Sequence, residues 1–200
     1  MQEQTPKRYY DNLVRHIESR ISLDSEEKDY ICSFFRLRKL LSKQYLLAQG
    51  DICRYDHYVC EGFLRSFYVD GNGNEHTLHF ALEDWWISDL NSFLKQQPAS
   101  RNIITLDASV LLQIDLENRE KLMENVPKME RFWRILNENS SMAQDQRLLD
   151  TISMPGKDRY LALLDRYPHI EQRLPQKHIA SFLGITPVFL SQIRKGIAKR

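Results

Sequence analysis

The stretch from Leu174 to Lys195, LPQKHIASFLGITPVFLSQIRK, allows few folds. Ile179, Ala180 and Leu183 recur at one-turn spacing and make an apolar stripe. Gly184 follows at once, where a helix end favours a residue that tolerates a left-handed backbone. Thr186 can cap a second helix through its hydroxyl, and Pro187 at the first helical position forfeits no hydrogen bond. Leu190 and Ile193 supply that helix's inward stripe, and Ala180 is small where the two helices must approach closely. The pattern predicts a helix-turn-helix.

The outward face indicates what such a motif is for. Lys177, Arg194, Lys195, Lys199 and Arg200 are charged, His178 stands beside them, and no Asp or Glu occurs between Leu174 and Arg200. In a chain of formal net charge +1, an unmixed basic segment is the electrostatic footprint of a phosphate-binding surface. A helical hairpin with a solvated, lysine-bearing face is the plain alternative. The glycine turn, the Thr-Pro cap and the missing acids together favour double-stranded DNA. Thr186, Pro187, Val188, Phe189, Ser191 and Gln192 then belong to the leading part of the helix that enters a major groove. Lys177, His178, Arg194 and Lys195 complete the DNA-binding set.

At 200 residues the chain suits a medium and a small domain. No apolar run approaches a membrane span, and the N-terminus MQEQTPKRYY lacks the hydrophobic core of a signal peptide. These features predict a cytoplasmic protein with no membrane partner. Cys32, Cys53 and Cys60 have no metal-ligand spacing and read as reduced thiols.

Two helices open the chain. Tyr9, Leu13, His16 and Ile17 keep helical spacing, and Leu23-Asp24-Ser25-Glu26 provides a cap before Tyr30, Ile31, Phe34 and Phe35. From Leu37 to Leu112 the period shortens to that of strands broken by turns at Gly50-Asp51, Glu61-Gly62 and Asp70-Gly71-Asn72-Gly73. The last turn joins FLRSFYVD to EHTLHFAL as a hairpin. Short antiparallel strands at this density predict a sandwich, jelly roll or barrel.

His76 and His79 fall on opposite faces of a strand and cannot share a metal there. Asp84, Asp89 and Asp107 have no nucleophile or base at a telling spacing. With no nucleophile elbow, phosphate loop or zinc signature, the chain does not read as an enzyme.

After the strands, Leu116 to Met123 predicts a short helix, and Pro127 starts a longer one reaching about Ile152. Met129, Leu136 and Ala143 recur every seven residues along it, as do Ile135, Met142 and Leu149, with Phe132 and Trp133 near the start. One stripe can pack on the roll and the other on a second copy, which predicts a homodimer joined through Met129, Phe132, Ile135, Leu136, Met142, Ala143 and Leu149. Ser153-Met154-Pro155-Gly156 breaks the helix as a hinge, and Lys157 to Tyr167 resumes as the first helix of the small domain. The predicted division is residues 1–126 for helices and roll, 127–153 for the dimerisation helix, and 154–200 for the helix-turn-helix. The fold class is α+β: an antiparallel jelly roll with flanking helices, a long helix and an all-α C-terminal domain.

This order of parts, with GD-x-C-x3-DHYV-x2-GFLRSFYVD-x-NGNE in the roll and RYLALLDRYP through IASFLGITPVFLSQIRK at the end, resembles the CRP/FNR family of bacterial transcription regulators. It looks most like the short, wingless members of the Bacteroidetes group. The resemblance implies a homodimer on a pseudo-palindromic operator, with RNA polymerase as a further partner. It places Thr186 on phosphate and Pro187, Val188 and Gln192 at base-reading positions. Members often carry Glu at the place of Val188 and Arg at that of Gln192, so the operator here is expected to differ.

In cyclic-nucleotide-binding members a Gly-Glu-Leu segment and an Arg-Ser pair hold ribose and phosphate. The corresponding residues here resemble Ser88-Asp89-Leu90 and Ala99-Ser100, with Arg101 out of register. Without the bidentate arginine a buried phosphate is costly to desolvate, so cyclic AMP is not the expected ligand; another small effector, or a purely structural roll, remains. The competing reading is a sensor module of cyclic-nucleotide type that regulates a protein partner and binds no DNA.

Overall fold

The computed structural model describes residues 4–198; Lys199 and Arg200, counted above in the basic segment, lie outside the described residues. Helices α1 (Gln4–Glu18) and α2 (Ser25–Ser33) open the chain. Asp24 and Glu27 form a reciprocal capping box at the start of α2: the Asp24 carboxylate accepts from Glu27 N–H and the Glu27 carboxylate from Asp24 N–H, both at 2.9 Å.

Eight strands follow: β1 (Arg36–Leu40), β2 (Tyr45–Leu47), β3 (Tyr55–Glu61), β4 (Leu64–Val69), β5 (Glu75–Ala81), β6 (Trp86–Ile87), β7 (Asn102–Thr105) and β8 (Ser109–Asp115). They form two antiparallel four-stranded sheets, ordered β1-β8-β3-β6 and β2-β7-β4-β5. Alternation along β8 divides the interior. Val110, Leu112 and Ile114 face a core shared with Tyr9, Leu13 and Ile17 of α1, whereas Leu111 faces Leu47, Phe93 and Ile103 between the sheets. Gly62, at the crossing from β3 to β4, has φ +104°, and a Cβ there would lie 2.2 Å from Ser109 Oγ, so no larger residue fits the turn. In the β4–β5 hairpin the Asp70 carboxylate accepts from the N–H groups of Asn72 and Asn74 at 2.9 Å, which closes the turn the Asp-Gly-Asn-Gly run predicts.

Helix α3 (Leu90–Lys95) lies between β6 and β7, and α4 (Leu116–Asn125) leads from β8 to the long α5 (Lys128–Ser153). The first turns of α5 belong to the roll: Met129, Phe132 and Trp133 are buried in the α1–α2 core, and Leu136 packs against it. That corrects the seven-residue seam. Met129 and Phe132 are already fully enclosed within one protomer, so neither can meet a partner. Beyond Leu136 the helix emerges, and Met142, Leu148, Leu149 and Ile152 are exposed.

Met154 and Pro155 are extended and end α5; α6 (Gly156–Arg166) starts afresh. A one-turn helix, α7 (Ile170–Arg173), precedes α8 (Gln176–Leu183) and α9 (Pro187–Ala198), an element that the sequence reading did not separate. Tyr160, Leu163, Ile170, Leu174, Ile179, Leu183, Leu190 and Ile193 form the core of this terminal head, and Phe63 and Phe80 of the roll join the same cluster.

Candidate functional site

Helices α8 and α9 meet through Gly184, whose φ of +66° is the left-handed position the glycine was assigned from sequence. Thr186 Oγ1 accepts from Phe189 N–H at 3.1 Å and caps α9. Leu190 and Ile193 are buried beneath, which turns Thr186, Pro187, Val188, Phe189, Gln192 and Lys195 to solvent, with Ser191 half-buried. Val188 is 69% exposed and Phe189 44%. Lys177 is also exposed at the start of α8.

Two members of the predicted DNA-binding set stand elsewhere. His178 is 9% exposed and faces the roll. Its pKa is pushed down to about 4, first by burial, then by Arg65 and Lys177, with Glu75 opposing. A neutral, covered imidazole does not serve a phosphate in this arrangement. Arg194 Nε lies 3.0 Å from Glu171 Oε1, which also accepts from Tyr160 OH at 2.6 Å. Arg194 therefore ties α9 to α6 and α7. The acid responsible lies three positions ahead of the segment in which no acid was found.

Contacts missed in the sequence hold the head against the roll. Strand β5 is an edge of its sheet and exposes backbone groups that need partners. Ser181 Oγ of α8 accepts from Thr77 N–H at 2.8 Å and donates to Glu75 O at 3.1 Å. Arg147 of α5 donates to Leu78 O, to Thr77 O at 3.2 Å and to Phe182 O at 3.1 Å, and its guanidinium lies 4.1 Å from the Phe182 ring centroid. Arg173 of α7 pairs with Glu83 at 3.1 Å and Asp107 at 3.2 Å and stacks over Phe63. Only the pairing of distant chain segments brings these arginines to their acceptors, so no local pattern announces them.

The segment compared with a nucleotide cassette closes on itself. Asp89 caps α3 and is 1% exposed; its carboxylate accepts from Ser92 N–H at 3.3 Å, Ser100 N–H at 2.9 Å and Ser100 Oγ at 3.1 Å, and Arg101 Nε lies 3.4 Å away. Burial acts to raise this carboxyl, but the Ser100 and Ser92 amides with Arg101 outweigh it and hold it below the usual carboxylate range. Ala99 is buried at the position where the resemblance expects an arginine, and Leu90 is partly exposed on α3. The buried Asp56 carboxyl is raised by burial, against the opposing pull of Arg119 and Ser88. The Arg119 guanidinium, itself buried, lies 5.6 Å from the Phe93 ring centroid of α3 and 4.7 Å from that of Trp133 of α5, linking the cassette to the long helix.

The two histidines of β5 separate as predicted. His76 pairs with Asp70 at 2.8 Å on the hairpin, while His79 is held down to about 4 by burial and by Arg101 and Arg147. Cys32, Cys53 and Cys60 are free thiols, each raised by burial, to about 11, 11 and 12. Among the described residues no helix is long and apolar enough to cross a membrane.

Residues 37–126 match the family model described as cyclic nucleotide-binding domain. No curated protein matches the chain significantly. The catabolite activator protein of Thermus thermophilus is 21% identical, with a TM-score of 0.56, over 92% of this chain and 87% of that one. The c-di-GMP-responsive global regulator CLP of Xanthomonas campestris is 12% identical, with a TM-score of 0.73, over 88% and 92%. FixK2 of Bradyrhizobium japonicum is 12% identical, with a TM-score of 0.72, over 82% and 85%. The chain thus carries a cyclic nucleotide-binding-type roll within a CRP-like α+β fold.

Proposed function

We propose that this chain is a sequence-specific DNA-binding transcription regulator of the CRP/FNR type that acts as a homodimer. The observation that carries the reading is the outer edge of α9: Thr186, Pro187, Val188, Gln192 and Lys195 project together, with no acid among them, from a helix anchored by Leu190 and Ile193. The whole-chain likeness to CRP-like regulators supports it.

Dimerisation rests on the emergent half of α5. Met142, Leu149 and Ile152 fall on one side at seven- and three-residue spacing, Leu148 borders them, and all four are exposed in a single copy. A second copy lying along this stripe covers it and sets two reading helices roughly 34 Å apart, one turn of duplex. The operator is then pseudo-palindromic, and RNA polymerase is the further partner of such a regulator. The Asp89 cassette favours an effector other than cyclic AMP, because Ser92, Ser100 and Arg101 already occupy the acid a ribose would use. Any effector acts by shifting the population of head orientations, the docked one described here among them.

Selection of bound fragments from the source genome, followed by titration at several salt concentrations, tests the proposal. Lys195→Ala is expected to weaken all sequences alike and reduce the salt slope by about one per protomer. Gln192→Ala is expected to keep the slope and change base preference. A protein that remains monomeric and ignores duplexes at low ionic strength refutes the assignment.

A further inference from the structure

Helix α9 turns one stripe squarely to solvent. At about 3.6 residues per turn, Val188, Gln192 and Lys195 follow at four- and three-residue spacing on the side opposite Leu190, Ile193 and Ile197, which pack into the head. All three are exposed. The residues that flank the stripe have other contacts. Thr186 Oγ1 accepts from Phe189 N–H. Phe189 stands one residue round the helix with its ring against Gly156, where an added Cβ would meet Phe189 Cε1 at 3.0 Å. Arg194, on the other side, is held by Glu171 at 3.0 Å. The stripe thus presents, in order, an isopropyl group, a carboxamide and an ammonium.

In a helix-turn-helix the N-terminal part of the second helix meets base edges, so Val188 and Gln192 read, and Lys195, about 10 Å beyond Val188 along the axis, serves phosphate. Each reading side chain suits one base. Thymine carries the only methyl that the base pairs present in the major groove. Set against cytosine or a purine, the valine covers the N4 amino group or N7 and deprives it of water. The carboxamide of Gln192 offers a donor and an acceptor, which match adenine N7 and the N6 amino group. Guanine offers two acceptors, N7 and O6, and sets one of them against Gln192 Oε1. Guanine is otherwise read by a bidentate arginine and cytosine by an acid. The stripe carries neither, because Arg194 is turned to Glu171 and no Asp or Glu occurs in α9.

We infer that each half-site is read through two A·T pairs: Val188 packs on the methyl of a thymine, and Gln192 bonds N6 and N7 of an adenine one or two steps away. Four residues rise about 6 Å along a helix, against about 3.4 Å per base step, which sets that separation. The inference rests on the regulator reading above and adds the bases it selects.

Selection by the full chain from a random duplex pool yields the operator for the test. It is then remade with deoxyuridine at each thymine in turn, which removes only the methyl, or with 7-deazaadenine at each adenine, which removes the N7 acceptor, and titrated at fixed salt. At one thymine per half-site the wild type is expected to lose about fourfold in affinity, the weight of one buried methyl, and Val188→Ala less than about twofold. At one adenine per half-site 7-deazaadenine is expected to cost the wild type about fivefold and to leave Gln192→Ala unchanged. Both side chains are exposed, so neither truncation touches the core of the head. If deoxyuridine has no effect at any thymine, or its effect persists in Val188→Ala, the inference is overturned while a specific operator still supports the regulator reading. The same holds if the 7-deazaadenine effect is absent or persists in Gln192→Ala. A pool from which no duplex is preferred defeats the regulator reading itself, and this inference with it.

Discussion

Arg147→Met tests what keeps the head on the roll. The guanidinium spans three elements, donating to Thr77 O and Leu78 O of β5 and to Phe182 O of α8 from its place on α5. Each such bond is worth about 1 kcal/mol net, because undocking returns both donor and acceptor to water. The cation over the Phe182 ring adds about 0.5 kcal/mol at a partly exposed site. Methionine keeps much of the stem's packing, so the loss falls on the polar contacts, and a total of roughly 3.5 kcal/mol moves the docked-to-undocked ratio by about 300-fold. Hydrogen exchange resolved along β5 and α8 reads this directly. The Thr77 amide, which donates to Ser181 Oγ, is expected to exchange up to about 300 times faster in the variant, while amides of α1, remote from the contact, stay protected. Unchanged protection at Thr77 and along α8 refutes the assignment of Arg147 as the clamp.

Leu149→Glu with Ile152→Glu places four like charges in a twofold seam, and since burying each leucine-sized side chain contributes about 1.5–3 kcal/mol, dimer dissociation is expected to rise by more than about 100-fold in sedimentation equilibrium. A wild-type chain that is already monomeric removes the basis of that prediction. Cyclic AMP is expected to give no saturable heat at micromolar concentrations, because Asp89 is already satisfied by Ser92, Ser100 and Arg101, and Ala99 offers a phosphate nothing. Stability is expected to fall on mild acidification. His16, His79 and His178 are held down to about 4 and His57 to about 3, burial leading in each case. The unfolded chain therefore takes up protons first, so the contribution is whole above about pH 6.5 and is lost as pH falls toward 4. Asp56, raised by burial, works in the opposite sense. Urea midpoints at pH 7.5 and pH 5 check the sign, and an equal or higher midpoint at pH 5 contradicts it.

Much of the architecture was legible because it is written in short-range chemistry. The Gly184 turn, the Thr186 cap, the Asp24 capping box and the Asp70 hairpin depend on residues within a few positions of each other, and each forms as its residues dictate. Periodicity announced the strands and the long helix for the same reason. It could not say which turns of α5 would be covered. Met129, Phe132 and Leu149 are equally apolar in sequence, and only the roll's extent leaves the first two enclosed and the third exposed.

Charge was still less local. An acid-free run from Leu174 onward is a property of the chain, but whether a given cation is free depends on what folding brings beside it. Arg194 meets Glu171, His178 turns under Arg65 and Glu75, and Arg101 takes the carboxylate that a ligand would need. By itself the sequence determined the kinds of element, their order and the acid-free edge of α9, since these follow from propensity, caps and composition. Tertiary structure alone decided which polar groups are already satisfied, because a hydrogen bond between residues 69 or 106 positions apart exists only once the chain has folded.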